Sequence, residues 1–402
     1  MTLYRPEDEK QVADVVAAAG AARQTLEIVA GGTKRAFGRP VTADHVLDVS
    51  QLAAIVNYEP AELILTAQPG VKLAALKAAL QARGQMLAFA PPYFSALLGG
   101  VGEVTLGGVL SCNLSGSRRV RAGAARDYLL GFSAVNGRGE IFKAGGKVVK
   151  NVTGFDMSKL LVGAFGTLSV LTEVTLKVMP RPETETTILL AGLTAAEAVK
   201  AMAAALNTPH EISCAAHLPA PAARKTAVGA AVSVTALRLE GPAPSVAFRA
   251  GEIEQLFGKG ARLDGAESGA FWAQVGEAQP LLPSGERLVW RLCPPPSLAA
   301  AVVEAIEKKL ASAEVFYDWG GGLVWVSLDP AEAGPDAGAG ILRGAMQPGG
   351  GHATLIGAPQ EVRARVSVFE PQPPALAALS ARVKNGFDPL GLFNPGRMSE
   401  GL

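Results

Sequence analysis

Separated glycine-rich turns are the feature of this 402-residue chain that most constrains its fold. The longest glycine-rich stretch is the apolar segment at residues 145–178, which includes a turn at residues 163–168. Shorter ones lie at residues 30–34 and 105–116. Glycine has no side chain, so it lets backbone N–H groups approach a ligand closely and permits sharp turns. Together these turns predict a cradle for one large ligand.

Charge and cysteine content exclude several classes of protein. The 37 basic and 36 acidic residues leave a net charge of +1, so neither nucleic acid nor an anionic membrane is expected as a partner. The three cysteines and four histidines are scattered without metal-binding spacing, so no metal site is predicted. The polar N-terminus lacks an apolar signal region, and no apolar run of about 18 residues occurs. We therefore expect a cytoplasmic protein without a transmembrane segment.

Apolar periodicity in the first 90 residues predicts an α+β arrangement. The expected order is helix, strand, strand, hairpin and helix, at residues 5–20, 25–30, 45–49, 55–58 with 63–67, and 73–81. This order does not match the regular repeats of a doubly wound sheet. Residues 91–146 predict mostly turns and short apolar pieces.

The sequence changes character after Pro180. Alanine-rich helices then alternate with strands, at residues 195–206, 230–239, 288–292, 298–310 and 323–328. Proline and glycine clusters separate them and indicate loops. We predict a first domain at residues 1–180, an α/β cap domain at 181–340, and a C-terminal segment at 341–402 that returns to the ligand site.

The turn after the second predicted element is the first candidate binding motif. It consists of Ala30, Gly31, Gly32, Thr33 and Lys34, and it follows an apolar strand. Such a turn can hold a phosphate with backbone N–H groups, a hydroxyl and a cation. The alternative is a hairpin turn with an exposed lysine.

Four other motifs are ambiguous when taken singly. Thr105, Gly107 and Gly108 could hold a ligand or could serve tight helix packing, and Gly166 could cap a helix. Asn394 lies in an ordinary turn sequence. Four arginines could be solvated, could pair with Asp127, or could face an acidic substrate or a partner subunit; they are Arg118, Arg119, Arg121 and Arg126.

Common nucleotide and hydrolase motifs are missing from the sequence. No G-x-G-x-x-G follows the first strand, so a Rossmann site is disfavoured. There is also no G-x-x-x-x-G-K-[ST], G-x-S-x-G or H-E-x-x-H motif. A hydrolase is therefore not expected.

The motifs taken together resemble a known family in both content and spacing. VAGGTKRAFG, TLGGVLSCNLSGSRR and GGKVVKNVTGFDMSKLLVGAFGTLSVLTEVTLKV resemble the FAD-binding domain of the vanillyl-alcohol oxidase / p-cresol methylhydroxylase (PCMH) superfamily. GQMLAFAPPYF, YDWGGGLVWV, GGGHATLI and DPLGLFNPGRM narrow the resemblance to the FAD-binding subunits of bacterial glycolate oxidases. The resemblance implies a two-subdomain, PCMH-type α+β FAD domain followed by a cap.

The resemblance also implies which residues contact FAD. Those expected along the pyrophosphate, phosphates and ribityl chain are Ala30, Gly31, Gly32, Thr33, Lys34, Thr105, Leu106, Gly107, Gly108 and Ser111. Those expected at the flavin ring are Pro91, Pro92 and Asn394, and those expected at the adenosine are Gly166, Val170, Leu171 and Thr172. No histidine lies in the pyrophosphate loop and the motif around Cys112 does not match a tether, so FAD is expected to be non-covalent.

Oxidation of a 2-hydroxy acid needs a base, a cation for the carboxylate and a hydride acceptor. His352 is the candidate base, and its alternatives are an ordinary loop histidine or a hydrogen-bonding neighbour of the flavin. Arg397, or else Arg118 or Arg119, is the candidate carboxylate cation. The paired-histidine motif H-x-G-D-G-N-x-H of related dehydrogenases is missing from this sequence.

Three functions remain open at this stage. The first is the FAD subunit of a multi-subunit glycolate dehydrogenase that makes glyoxylate, with a second flavoprotein subunit and an iron–sulfur subunit as partners. The second is a non-catalytic flavin-binding, relay or scaffold subunit whose sister subunit performs the chemistry. The third is a self-sufficient FAD oxidase. The missing motif favours the first two, and any membrane attachment is expected through the partners.

Overall fold

A computed structural model describes residues 1–146, 155–282 and 286–400. The central part of the glycine-rich stretch, KVVKNVTG at residues 147–154, lies outside these described residues. The chain forms a first domain built on two sheets and a cap built on one large sheet, as the α+β, PCMH-type prediction expected.

A small parallel sheet and one helix begin the first domain. The strands lie in the order Leu3–Tyr4, His45–Asp48, Leu26–Val29. The helix Glu9–Ala22 buries Val12 and Val16 against them. It begins later than predicted because the Asp8 carboxylate caps it by accepting from the backbone N–H of Gln11 at 2.7 Å.

A five-stranded antiparallel sheet completes the first domain. Its strands lie in the order Ile55–Glu59, Ile64–Ala67, Val170–Lys177, Leu129–Val135, Ile141–Gly145. The predicted hairpin and the helix Leu73–Gln81 are confirmed. The prediction of mostly turns in residues 91–146 missed the hairpin formed by the last two of these strands. A two-stranded ribbon pairs Gln85–Met86 with Met179–Pro180.

The cap is an eight-stranded sheet in which each pair is antiparallel. Its strands lie in the order Ala261–Asp264, Thr184–Ala191, Val234–Gly241, Cys214–Leu218, Glu314–Asp318, Leu323–Leu328, Leu288–Cys293, His352–Gly357. Four helices pack on one face, namely Ala195–Leu206, Ala243–Phe257, Ala299–Glu307 and Ala339–Met346. The other face packs on the first domain, together with the helix Gly265–Gly276.

The C-terminal segment runs back to the first domain. The last strand of the cap sheet extends to Gly357, so this sheet continues past residue 340. The helix Pro374–Phe387 follows, and the chain then joins the strand Leu26–Val29, where the Asn394 N–H donates to the Leu26 carbonyl at 2.9 Å. The division into three domains stays a prediction.

A cluster of contacts at residues 116–121 fixes the cap to the first domain. The Ser117 hydroxyl donates to the Asp318 carboxylate at 2.6 Å, and the Trp319 indole donates to the Gly116 carbonyl at 3.1 Å. Arg118 pairs with Glu240 of the cap. The interface therefore depends on buried polar groups as well as on apolar packing.

The stability of the protein should depend on the ionisation of Asp318. Burial raises the pKa of this carboxyl to about 6, so the folded state binds a proton that the unfolded state has released. As the pH rises from about 4 to about 6, the free energy of unfolding should therefore fall by roughly 3 kcal/mol. Asp318→Asn should remove this dependence, whereas Asp14→Asn on an exposed position should retain it. Urea unfolding at pH 4 and pH 7 measures the change in the free energy of unfolding for each protein. An equal change in Asp318→Asn and in the wild type contradicts the assignment.

Candidate functional site

The separated turns converge on one narrow groove of about 80 Å³ in the first domain. The predicted residues that line the groove are Ala30, Gly32, Thr33, Lys34, Gly107, Gly108, Ser111, Gly166, Val170, Leu171, Asn394 and Arg397. Residues from positions 30 to 397 therefore meet in one place, as a cradle for one ligand requires.

The loop at residues 30–34 presents backbone donors to the groove. Gly31 and Gly32 have φ values of +89° and +74°, which other residues rarely adopt. Among the described residues, no acceptor bonds the N–H groups of Gly32, Thr33 and Lys34 or the Thr33 hydroxyl. Consecutive unpaired N–H groups in such a turn form an anion-binding concavity. The donor set fits a diphosphate.

Two side chains behind this loop hold it in place. The Thr105 hydroxyl donates to the Ala30 carbonyl, and the Arg397 guanidinium donates to the Lys34 carbonyl at 2.6 Å. Gly31 packs against the backbone at Glu103, where a Cβ would lie 2.7 Å from the carbonyl oxygen. Thr105 and Gly31, both predicted to contact the ligand, therefore support the loop from outside the groove.

Lys34 extends from the loop towards Tyr93. Its ammonium donates to the Tyr93 carbonyl, and burial lowers its pKa. The Tyr93 and Phe94 N–H groups in turn donate to the Glu277 carboxylate at 2.6 and 2.7 Å. The lysine thereby links the predicted phosphate loop to the cap.

A short helix forms the floor of the groove because its first turn contains two glycines. The helix Leu106–Ser111 is capped by Thr105, whose hydroxyl accepts from the Gly108 N–H at 3.3 Å. A Cβ on Gly107 would lie 2.7 Å from the Pro69 Cβ, whereas a Cβ on Gly108 would meet only ordinary contacts. Gly108 therefore lines the groove without close packing behind it, and Leu106 is buried in the core instead.

Asn394 and Gly166 form the far end of the groove. The Asn394 amide accepts from the Ile28 N–H and donates to the Phe165 carbonyl, both at 2.7 Å. A Cβ on Gly166 would lie 2.8 Å from the Asn394 side-chain nitrogen. Both hydrogen-bonding ends of the amide are therefore used to close this end of the groove. Thr172 faces away, because its hydroxyl donates to the Glu9 carboxylate.

Pro91 and Pro92 lie outside the groove. They line a second cleft of about 560 Å³ between the first domain and the cap, together with Lys77, Trp272 and Glu277. Lys77 lies over the Tyr93 ring at 4.2 Å, and burial lowers its pKa to about 8. The FAD contacts given to the prolines and to the groove residues stay predictions.

His352 also lies outside the groove, at the exposed start of the last cap strand. It is paired in register with Cys293 on the neighbouring strand. Partial desolvation of the ring, with the charges of Arg291 and Arg119, lowers the pKa of the imidazole, although the residue as a whole is exposed, and Glu370 opposes this shift. The ring makes no hydrogen bond to the described residues. Its role as a base stays a prediction.

The arginine cluster mostly faces the cap. Arg118 pairs with Glu240 and Arg121 pairs with Glu211, the second at 2.8 Å. Arg119 stacks over Trp319 at 4.7 Å, and Arg126 lies 3.9 Å from Asp127. The alternatives given from sequence were solvent, Asp127, an acidic substrate and a partner subunit. They did not include the cap, whose acidic residues are distant in sequence.

Sequence reasoning missed several residues that the structure places at the groove. Glu27, Arg35, Phe165 and Ser169 line it, and Cys112 lies at its wall. Burial raises the pKa of the Cys112 thiol to about 11, against the opposing charges of Arg397, Lys34 and Arg291. The one signal in the sequence for these missed residues was their nearness to the glycine-rich turns.

Comparison with known proteins identifies the family. A family described as FAD binding domain, FAD_binding_4, matches residues 2–145. The glycolate oxidase subunit GlcE of Escherichia coli (strain K12) is 35% identical over 379 residues, which cover 93% of each protein. The chain belongs to the GlcE family. Subunit GlcD of the Bacillus subtilis (strain 168) glycolate oxidase is 35% identical over 150 residues, 37% of this chain and 30% of that subunit.

The fold of this GlcE family member is similar to that of p-cresol methylhydroxylase. The substrate-bound crystal structure of that enzyme matches with a TM-score of 0.71 and 16% identity, over 99% of this chain and 88% of its own. The predictions of a PCMH-type fold and of an FAD-linked oxidoreductase are thus confirmed. No helix in the described ranges is long and apolar enough to cross a membrane.

Proposed function

We propose that this chain is the FAD-binding subunit of a multi-subunit glycolate oxidase and holds FAD without a covalent bond. The observation that carries the proposal is the groove, where the N–H groups of Gly32, Thr33 and Lys34 have no acceptor in the described part of the chain and lie beside Gly108. The 35% identity to GlcE over 93% of the chain points to the same complex. Its partners would be a GlcD-like flavoprotein subunit and an iron–sulfur subunit, which would receive the electrons.

The residues present allow a division of roles. Gly32, Thr33 and Lys34 would bind the diphosphate through their N–H groups, and Ser111 would contact the ribityl chain. Val170 and Leu171 would lie against the adenosine. When bound, FAD supplies the acceptor for a hydride removed from a 2-hydroxy acid. Arg397 holds the loop in position by donating to the Lys34 carbonyl. This structural role competes with its predicted role of binding the substrate carboxylate.

The residues at the groove support non-covalent attachment. None of the groove-lining residues within the described ranges is a histidine. Cys112 is the single cysteine there, and its raised pKa keeps the thiol protonated at neutral pH. A protonated thiol is a poor nucleophile, so a spontaneous thioether to the flavin is not expected.

A second candidate function has one observation in its favour. His352 would need an orienting partner to serve as a base, but its ring makes no hydrogen bond to the described residues, and the residue is exposed. This favours a relay or scaffold subunit that binds FAD while a GlcD-like subunit oxidises glycolate.

Anaerobic reduction of the purified chain separates the two candidates. The protein is reconstituted with FAD, desalted and treated with glycolate, first alone and then with the partner subunits. We expect a yellow protein whose flavin is released intact by acid precipitation. Bleaching of the isolated chain by glycolate supports a catalytic subunit, whereas bleaching only with partners supports a relay. A chain that stays colourless after reconstitution contradicts both.

A further inference from the structure

The inner face of the cap sheet carries polar side chains next to the first domain. In the strand Leu288–Cys293, Trp290 and Leu292 belong to the outer core of the cap, so Arg291 points to the opposite face. That face packs on the first domain through Val289 and Cys293. The charge of Arg291 reaches Cys112, which lines the groove. Arg291 therefore lies on the face of the cap sheet that is turned towards the first domain.

Arg291 has a buried donor without a partner. Its Nε atom is inaccessible to solvent and has no hydrogen-bond acceptor within the described residues. A buried unsatisfied donor costs about 1–3 kcal/mol, and such groups are rare in folded proteins. An arginine held in this way in a sheet interior is consistent with a ligand that the chain is built to receive.

The neighbours of Arg291 on the same face are also without partners. Thr354 lies directly opposite on the adjacent strand, and His352 lies two residues further along that strand. Thr354 is a buried residue, and its hydroxyl makes no hydrogen bond to the described residues. Trp325 lies opposite on the other side and supplies an apolar wall. The three polar side chains thus lie on one face of the sheet, beside Trp325.

A second cation, Arg119, adds to the positive charge on this face. Burial, together with repulsion by the charge of Arg291, lowers the pKa of Arg119. Neither guanidinium has a carboxylate within 4.0 Å among the described residues, whereas Arg118, Arg121 and Arg343 have carboxylate partners. Two adjacent unpaired cations are stabilised by a bound anion.

We propose that Arg291, with Arg119 and Thr354, binds the carboxylate of a small organic acid at the inner face of the cap sheet. This inference rests on the proposed function, because it gives the glycolate carboxylate a place. The planar guanidinium matches a carboxylate in bidentate fashion, and Thr354 can add a third hydrogen bond. His352 lies on the same face, two residues before Thr354 in the strand. Arg397, the sequence candidate, donates one Nη–H to the Lys34 carbonyl, and its buried Nε also has no acceptor within the described residues.

Calorimetric titration with oxalate and with glycolate tests this site, whether or not the protein contains flavin. The full chain is measured in low-chloride buffer, as the FAD-loaded and as the FAD-free protein. Arg291→Met should weaken oxalate binding on the order of 30-fold, and Arg291→Lys, which keeps the charge but loses the fork, by about 5-fold. Arg224→Met, on an exposed arginine of the cap, should bind as the wild type does.

The thermal stability of the variants separates binding from folding. Because Arg291 leaves a donor unsatisfied, Arg291→Met should melt at the same or a higher temperature than the wild type. It should also take up FAD normally, since Arg291 does not line the groove. Equal oxalate affinity in wild type and Arg291→Met overturns the inference, as does a wild type that binds neither acid. A chain that binds oxalate through Arg291 but never takes up FAD overturns only the proposed function.

Discussion

Replacing Gly108 by leucine is expected to abolish FAD binding while the fold remains intact. A Cβ at this position meets the Thr105 hydroxyl at 3.4 Å and Lys34 Cγ at 3.6 Å, which are ordinary contacts. The rest of the leucine side chain must then extend into the groove beside the phosphate-binding loop. The FAD-free protein should tolerate the change, because leucine is about 0.8 kcal/mol better than glycine in a helix. We expect affinity for FAD to fall by roughly 100-fold or more.

Gly251→Leu is the matched control for this variant. Gly251 lies in the helix Ala243–Phe257 of the cap, and a Cβ there has no neighbour within 4 Å. It gains the same helix propensity without entering the groove. Flavin fluorescence titration of both FAD-free variants and circular dichroism melting provide the comparison. Normal FAD uptake by Gly108→Leu places the cofactor elsewhere.

Breaking the buried ion pair of the C-terminal segment is expected to cost about 3–5 kcal/mol of stability. The Lys384 ammonium donates to Asp388 at 2.6 Å and to the carbonyls of Thr167 and Phe393 at 2.6 and 3.1 Å. Asp388 also accepts from the N–H of Leu392 at 2.9 Å. Both side chains are buried, so Asp388→Ala leaves a buried cation unpaired. Urea unfolding of the FAD-free protein measures the loss.

This pair also links stability to the cofactor site. Thr167 follows Gly166, and the turn after Asp388 leads to Asn394, so the pair holds the far end of the groove. Asp388→Ala should therefore weaken FAD binding as well as the fold. Glu304 and Lys308 provide the control, because they have the same i,i+4 spacing at 2.6 Å on an exposed helix surface. Glu304→Ala should leave unfolding unchanged; an equal effect of both substitutions contradicts the role given to burial.

Local periodicity was sufficient to predict much of the fold. The helix Ala195–Leu206 was predicted with its observed bounds, where alanines and a Thr194–Glu197 capping box agree. The strands at Leu288–Cys293 and Leu323–Leu328 follow from apolar runs between turn residues. The predicted strand at 230–239 was less accurate, since the observed strand is Val234–Gly241. The ends of a strand are decided by its partner strands, which the local sequence does not specify.

The missed hairpin of the first domain has a physical explanation. The strand Leu129–Val135 is buried along most of its length because it lies between two other strands, so it lacks the alternation of a half-exposed strand. Gly131 and Ser133 interrupt it further. The Asn136-Gly137 pair that follows is a hairpin signal and was available in the sequence.

Side-chain direction was the least predictable part of the site. The glycine turns could be found from sequence because their function depends on the backbone. Thr172 and Asn394 were predicted to contact the cofactor together with these turns. The Thr172 hydroxyl instead faces Glu9, and the Asn394 amide closes the end of the groove. Arg291 was overlooked because its significance depends on the register of Leu288–Cys293 with His352–Gly357. Such pairings join residues that are distant along the chain, and no local pattern encodes them.

A crystal structure of the reconstituted protein with FAD is the most direct test of this account. The prediction is a diphosphate within hydrogen-bond distance of the N–H groups of Gly32, Thr33 and Lys34, with no bond between the flavin and Cys112. A flavin seated in the second cleft, against Pro91, Pro92 and Trp272 with the glycine loop unliganded, would contradict it.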